Sequence, residues 1–174
     1  MYKELQNCLI RDWKMDDVPS IVKYADNRKI WQNLRDGFPH PYTVSDAENF
    51  ITRVNSSNPR TAYAIATETE AVGSIGMLQG VDVHRFTAEM GYWLAEPFWG
   101  QGIMTEVVRF FTDWIFSEFG LHRISAVPYA TNIASHRVLE KAGFQKEGII
   151  RSGAFKDGKV VDQIMYSVIR VRGG

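Results

Sequence analysis

The sequence predicts a mixed α/β domain, α+β in detail, with one central, mostly antiparallel sheet flanked by helices. Three observations carry this. Apolar residues recur at helical spacing from Val18 to Val54. The pattern then changes to three strand-like runs over 62–67, 71–78 and 86–95, separated by short turns. A long helical run, a strand, a short helix and two strands complete the chain.

Residues 8–13 read as a first strand. Asp12 or Asp16 offers an N-cap for a helix whose stripe is Val18, Ile21, Val22 and Ala25. A second short helix gathers Ile30, Trp31 and Leu34 and ends near Gly37. Phe38-Pro39-His40-Pro41-Tyr42 cannot be helix, because two prolines remove donors and restrict their predecessors. It reads as a rigid aromatic loop. Ser45 and Glu48 have capping-box spacing, and Phe50, Ile51 and Val54 follow as the apolar stripe. Residues 55–59 are a turn-rich break.

The three strand-like runs read as an antiparallel meander. Gly73 and Gly76 in the second suggest bulges or close backbone approach. In the helix over 103–119, Val107, Val108, Phe111, Trp114 and Ile115 form one face, and Gly120 suits its C-terminal end. A strand over 122–127, a helix over 132–141 stopped by Gly143, and strands over 144–150 and 160–170 follow.

The totals narrow the function. A chain of 174 residues reads as a single domain over 1–174. Lys plus Arg is 20 and Asp plus Glu is 20, which argues against a nucleic-acid binder and against a polybasic membrane-surface protein. The single Cys8 excludes an internal disulfide and a multi-cysteine zinc site. The start is not a signal peptide, and no run approaches ~18 apolar residues, so a cytoplasmic location is expected.

The chemistry gathers at Trp99-Gly100-Gln101-Gly102-Ile103-Met104-Thr105. A glycine turn that leaves a strand and opens a helix aims unpaired backbone N–H groups at one spot, and that spot suits a phosphate. No Lys-Ser/Thr follows for a P-loop, and the meander before it does not suit a Rossmann unit. A tight β-to-α connection would look the same. Asn132, three residues before Ser135, opens a later helix as its N-cap.

Three blocks together are specific: Ala88-Glu-Met-Gly-Tyr-Trp-Leu94, Trp99-Gly-Gln-Gly-Ile-Met-Thr-Glu106, and the run from Asn132 to Phe144. With Leu9-Ile-Arg11 and Pro39-His-Pro-Tyr42 they resemble the GNAT superfamily of N-acetyltransferases, in the branch of the RimJ/RimL ribosomal-protein N-terminal acetyltransferases. The resemblance spans nearly the whole chain. It implies a GNAT-like sheet splayed at a cofactor cleft, and acetyl-CoA as co-substrate with no metal.

Carried onto this chain, the resemblance gives the pyrophosphate to Trp99, Gly100, Gln101, Gly102, Ile103, Met104 and Thr105. It gives the pantetheine arm to the backbone of Trp93, Leu94 and Ala95 and to Asn132, with Ser135 and Arg137 near that arm or the 3′-phosphate. Family members usually carry a basic or polar residue where this chain has Phe98. Glu89 matches a general-base position, with a salt-bridged strand Glu as the alternative. A backbone N–H near Leu94 would serve the oxyanion. The commonest family acid, a Tyr shortly after the Asn-helix, is replaced here by Phe144. Ser135, Tyr129, Tyr166 or water then remain as general acid.

The aromatic loop reads as an acceptor wall of Trp31, Phe38, His40 and Tyr42, with Trp93 and His84, or else as a core plug. The implied partners are acetyl-CoA and an amine acceptor, with no nucleic acid and no membrane. The branch often forms dimers, so a homodimer is admitted. A protein or peptide N-terminal α-amine is the leading acceptor. A small-molecule amine (polyamine, amino acid or antibiotic) and a non-catalytic acyl-CoA-binding module are the alternatives.

Overall fold

A computed structural model of the chain describes residues 1–170. The elements in order are β1 (Tyr2–Glu4), β2 (Leu9–Arg11), α1 (Val18–Ala25), α2 (Arg28–Trp31), α3 (Val44–Ser56), β3 (Ala62–Ala66), β4 (Ala71–Gln79), β5 (Thr87–Leu94), α4 (Ile103–Phe119), β6 (Arg123–Ala126), α5 (Ile133–Lys141), β7 (Gln145–Lys156) and β8 (Lys159–Ile169). Single 3₁₀ turns sit at Met15–Asp17, Asp82–His84 and Glu96–Phe98. The eight strands form one sheet in the order β1-β2-β3-β4-β5-β6-β8-β7. Among the described registers, β5 and β6 pair in parallel, and β1-β2, β2-β3, β3-β4, β6-β8 and β7-β8 pair antiparallel. The parallel register runs Thr87↔Arg123, Ala88↔Ile124 and Glu89↔Ser125, after which β5 continues to Leu94. This is the mixed, mostly antiparallel sheet that the sequence predicts.

The chain divides into two compact units. The first comprises Met1–Gly76 and Tyr92–Ile103. Its core gathers Trp13, Val18, Ile21, Ala25, Tyr42, Ala47, Ile51 and Val54 with strand residues Ala64 and Ala71. The spacing of Val18, Ile21 and Ala25 puts one face of α1 inward, and Pro19 stands in its first turn, where a missing N–H costs nothing. Neither Asp12 nor Asp16 caps α1. Asp17 stands at that position without a capping bond, because its carboxylate is engaged elsewhere. It takes both guanidinium arms of Arg11 at 2.7 Å and the N–H of Lys14 at 2.9 Å. The cap of α3 also moves. Thr43 and Asp46 form the capping box rather than Ser45 and Glu48. The Asp26 carboxylate holds the N–H of Tyr42 at 3.0 Å, which fixes the chain one residue before Thr43.

The glycines of β4 answer to close approach. A Cβ on Gly73 would stand 2.5 Å from the Trp93 carbonyl oxygen, and one on Gly76 would stand 2.9 Å from that of Thr61. The irregularity between β3 and β4 lies instead at Ile65/Ala66. The N–H of Ala95 donates to the carbonyl of Val72 at 2.7 Å.

The second unit comprises 77–91 and the described residues from 104 onward. Val107, Val108, Phe111 and Ile115 of α4 are fully buried, as are Leu121, Ile124 and Leu139; Trp114 is half-buried. Gly120 ends α4 at φ +61° and Gly143 ends α5 at φ +93°, conformations that only glycine adopts at little cost. β7 and β8 form a long hairpin. Its turn residues Asp157 and Gly158 both have positive φ, as a type I′ turn requires. β7 runs six residues beyond its expected end. Register shifts at Lys146/Gly148 and Ile150/Ala154 break the alternation by which a strand is recognised.

Candidate active site

In the first unit, β5 ends at Leu94 and passes through Ala95 and the Glu96–Phe98 turn to Trp99-Gly100-Gln101-Gly102, which opens α4. Gly100 and Gly102 adopt φ +74° and +81°. Left-handed residues interleaved with ordinary ones turn successive N–H groups toward one side, which makes a concave anion site. The first N–H groups of α4 follow immediately and carry the positive end of its dipole. Both glycines and Gln101 are exposed. The side chains of Ile103, Met104, Leu94 and Ala95 are buried, so these residues offer a ligand only backbone. Thr105, just inside α4, is half-buried.

The turn is braced by side chains. Gln101 Nε2 donates to the carbonyl of Pro97 at 2.9 Å, and the indole Nε1 of Trp99 donates to that of Leu94 at 2.7 Å. Upstream, Glu96 accepts from Asn27 Nδ2 at 2.9 Å and from Lys29. Lys29 first, then Asn27, hold its carboxyl below the usual carboxylate range. Phe98 packs edge-on against Tyr24, with ring centroids 6.0 Å apart.

The aromatic loop lies in the same unit. The Phe38 ring packs tilted against Tyr42 at 4.9 Å and edge-on against Trp93 at 5.9 Å, and Trp31 lies 5.7 Å from His40. Tyr42 is a core residue, and burial, with Asp46 as a lesser contributor, pushes its phenol up to about 12. Trp31, Phe38 and Trp93 are half-buried, and His40 is exposed. Asp26, which the sequence did not single out, lies with Oδ1 3.1 Å from His40 Nδ1. With its proton on Nδ1, His40 would keep a lone pair on Nε2. The cis His40–Pro41 peptide belongs to this loop.

The second unit holds the remaining candidates. Glu89 is half-buried and faces Ser125 in the parallel register; the Ser125 hydroxyl donates to the Ala88 carbonyl at 3.3 Å. Asn132 caps α5, its Oδ1 accepting the N–H of Ser135 at 3.2 Å. The cap uses the acceptor half of the amide, so the donor half is what Asn132 can turn to a ligand. Ser135 is half-buried and Arg137 is exposed. His84 closes the 3₁₀ turn before β5 and is exposed; its carbonyl accepts from the Thr87 hydroxyl at 2.9 Å.

Among the acid candidates, Tyr129 and Tyr166 are buried. The Tyr166 hydroxyl donates to Glu140 at 2.9 Å, and burial, then Glu140, push it up to about 12. Both phenols are buried and that of Tyr166 is committed to Glu140, so Ser135 is the more exposed candidate. His136, beside Ser135, went unrecognised in the sequence. Its ring is buried 5.5 Å from that of Tyr166, and Nε2 meets the Ala130 carbonyl at 3.2 Å. Its position one helical turn after Asn132 was the available signal. Among the described residues, no group of three His, Cys, Asp or Glu side chains is placed to hold a metal ion. No helix among them is long and apolar enough to cross a membrane.

Comparison with known proteins places the chain in a family. The family model described as an acetyltransferase (GNAT) domain matches residues 7–145. The chain is 39% identical over 103 residues to YoaA of Bacillus subtilis (strain 168), described as an uncharacterized N-acetyltransferase; the match covers 59% of this chain and 58% of YoaA. The chain thus spans little more than half the length of that relative. It is 33% identical over 167 residues to YokL of the same organism, an SPbeta prophage-derived uncharacterized N-acetyltransferase, covering 95% of this chain and 91% of YokL. Among solved structures, RimL, a ribosomal alpha-N-protein acetyltransferase in complex with coenzyme A, superposes with a TM-score of 0.84 over 97% of this chain and 98% of RimL. At 22% identity that likeness is one of fold.

Proposed function

The chain belongs to the GNAT acetyltransferase family, and from that premise we propose that it is an acetyl-CoA-dependent N-acetyltransferase. Its acceptor is a primary amine, a protein or peptide N-terminal α-amine, which attacks directly in a ternary complex. The observation that carries the reading is the Trp99–Gly102 turn, with two left-handed glycines opening α4. An exposed cradle of backbone N–H groups at a helix start fits a pyrophosphate, and no side-chain cation is needed. That accommodates Phe98 at its position.

Bound acetyl-CoA supplies an activated acetyl thioester. The protein's own groups divide the remaining work. The backbone of residues 93–95 pairs with the pantetheine arm as an added strand would. The N–H of Leu94 donates to the acetyl carbonyl oxygen as charge develops there. Glu89 takes the proton of the acceptor ammonium, directly or through a water. Ser135 returns a proton to the departing sulfur, and the donor half of the Asn132 amide holds the pantetheine arm. Trp31, Phe38, His40 and His84 line the acceptor side, with Tyr42 behind Phe38. The ribosomal N-terminal substrate named for RimL supports the choice of an α-amine.

Release of coenzyme A thiol from acetyl-CoA tests this, read against peptides with Ser, Ala or Met at the N-terminus, polyamines, amino acids and aminoglycosides. Peptide-dependent release is the expected result. Release only with a small amine would replace the acceptor. Coenzyme A binding without release on any amine would make the protein a binding module.

A further inference from the structure

The Trp99 side chain has a use that the acetyl-CoA reading does not draw on. Its backbone belongs to the glycine turn, but its indole reaches back and donates to the Leu94 carbonyl at 2.7 Å. That carbonyl shares a peptide plane with the N–H of Ala95, which donates to Val72 at 2.7 Å. The Leu94–Ala95 peptide is therefore gripped at both ends, by β4 on one side and by the indole on the other. The preceding peptide is oriented too. The Trp93 carbonyl abuts Gly73, within 2.5 Å of where a Cβ would stand. In a planar trans peptide the N–H points opposite to the carbonyl, so the Leu94 N–H is turned away from β4. It lies on the same side of the strand as the carbonyl that the indole holds.

The indole is nearly half exposed, at 45%, whereas Leu94 and Ala95 are buried. A large ring left at the surface yet bonded through its one polar atom acts as a strut more than as core filling. We propose that Trp99 is a positioning residue: its indole N–H locks the Leu94–Ala95 peptide, so that the Leu94 N–H keeps a fixed aim at the acetyl carbonyl oxygen. The strut also ties the pyrophosphate turn to the strand end five residues upstream, so one side chain links the two ends of the cofactor's seat. This rests on the acetyl-CoA reading above.

The test is Trp99→Phe, which keeps a ring and removes the donor. Turnover should fall about 10-fold or more, because a misaimed oxyanion donor is felt most in the transition state. The KM for acetyl-CoA and the Kd for coenzyme A should change by less than about 3-fold, since the backbone cradle remains. Difference infrared spectra of bound acetyl-CoA, labelled with carbon-13 at the acetyl carbonyl, give the decisive signature. The wild-type carbonyl stretch should lie below its solution value, and Trp99→Phe should return it toward that value. A variant that keeps both wild-type turnover and the lowered stretch overturns the proposal. A wild-type protein that binds no coenzyme A overturns the acetyl-CoA reading instead. A second measurement needs no variant: the Trp99 indole proton should exchange slowly in the acetyl-CoA complex. Exchange at the free-solvent rate there overturns the proposal as well.

Discussion

Gly73 and Trp93 stand closer than any other residue at 73 would allow, since a Cβ there would come within 2.5 Å of the Trp93 carbonyl oxygen and 3.2 Å of the Leu94 Cα. Both neighbours are backbone, so neither can swing aside. Gly73→Ala should force β4 and β5 apart and cost about 1–3 kcal/mol, the usual range for overpacking. Thermal unfolding should show a midpoint several degrees lower. An unchanged midpoint would mean that the two strands yield freely here.

Gly102 sits at φ +81° with open space where its side chain would be. Gly102→Trp should fold, at a backbone strain of roughly 1 kcal/mol, while filling the cradle in front of α4. Calorimetry should then detect no coenzyme A binding, with the circular dichroism spectrum kept. Wild-type affinity in this variant would remove the pyrophosphate assignment.

Glu89→Gln preserves shape and removes a base. Turnover should drop by roughly 10²–10⁴-fold, the range for general acid–base groups, with coenzyme A affinity retained. If the pH–rate profile stays near wild type, the proton is taken by another group. The His40–Asp26 pair would be the next to substitute.

Glu147 bears on stability rather than catalysis. Arg123 donates to its carboxylate through both arms, one at 2.6 Å, and the Ser167 hydroxyl donates at 2.6 Å. Arg123 first, then Ser167, draw the carboxyl down from its ordinary 4.5 to about 2. A carboxyl lowered on folding adds stability that is present above its unfolded value and is lost as the pH falls toward 2. Glu147 is more than a third exposed, so solvent screens the pair and its contribution is under about 1 kcal/mol. Glu147→Gln should therefore unfold at lower urea than wild type at pH 7, and the two curves should converge near pH 2. A gap that persists at pH 2 would assign the effect to packing instead.

What could be read in the chain follows from which forces are local. α4 has the bounds that its apolar periodicity and its flanking Gly102 and Gly120 predict, because positive φ at both ends is a property of those residues alone. The cap of α5 at Asn132 was legible for the same reason. β1 was not, since Tyr2-Lys3-Glu4 are all exposed and its only signal is pairing with β2. The α3 cap falls at Thr43 rather than Ser45, next to the Tyr42 N–H that Asp26, sixteen residues earlier, holds.

The sequence by itself determined the sheet-and-helix order from β2 onward and the glycine turn, because each rests on residue types at short spacing, and its three blocks carried the family resemblance. Tertiary structure alone decided that Asp17 serves Arg11 rather than a helix start, that Tyr42 lies in the core behind Phe38, and that the Trp99 indole returns to the Leu94 carbonyl. Spacing announces a helix cap or a left-handed glycine. The partner of a side chain's last polar atom is known only once distant backbone has been brought to it.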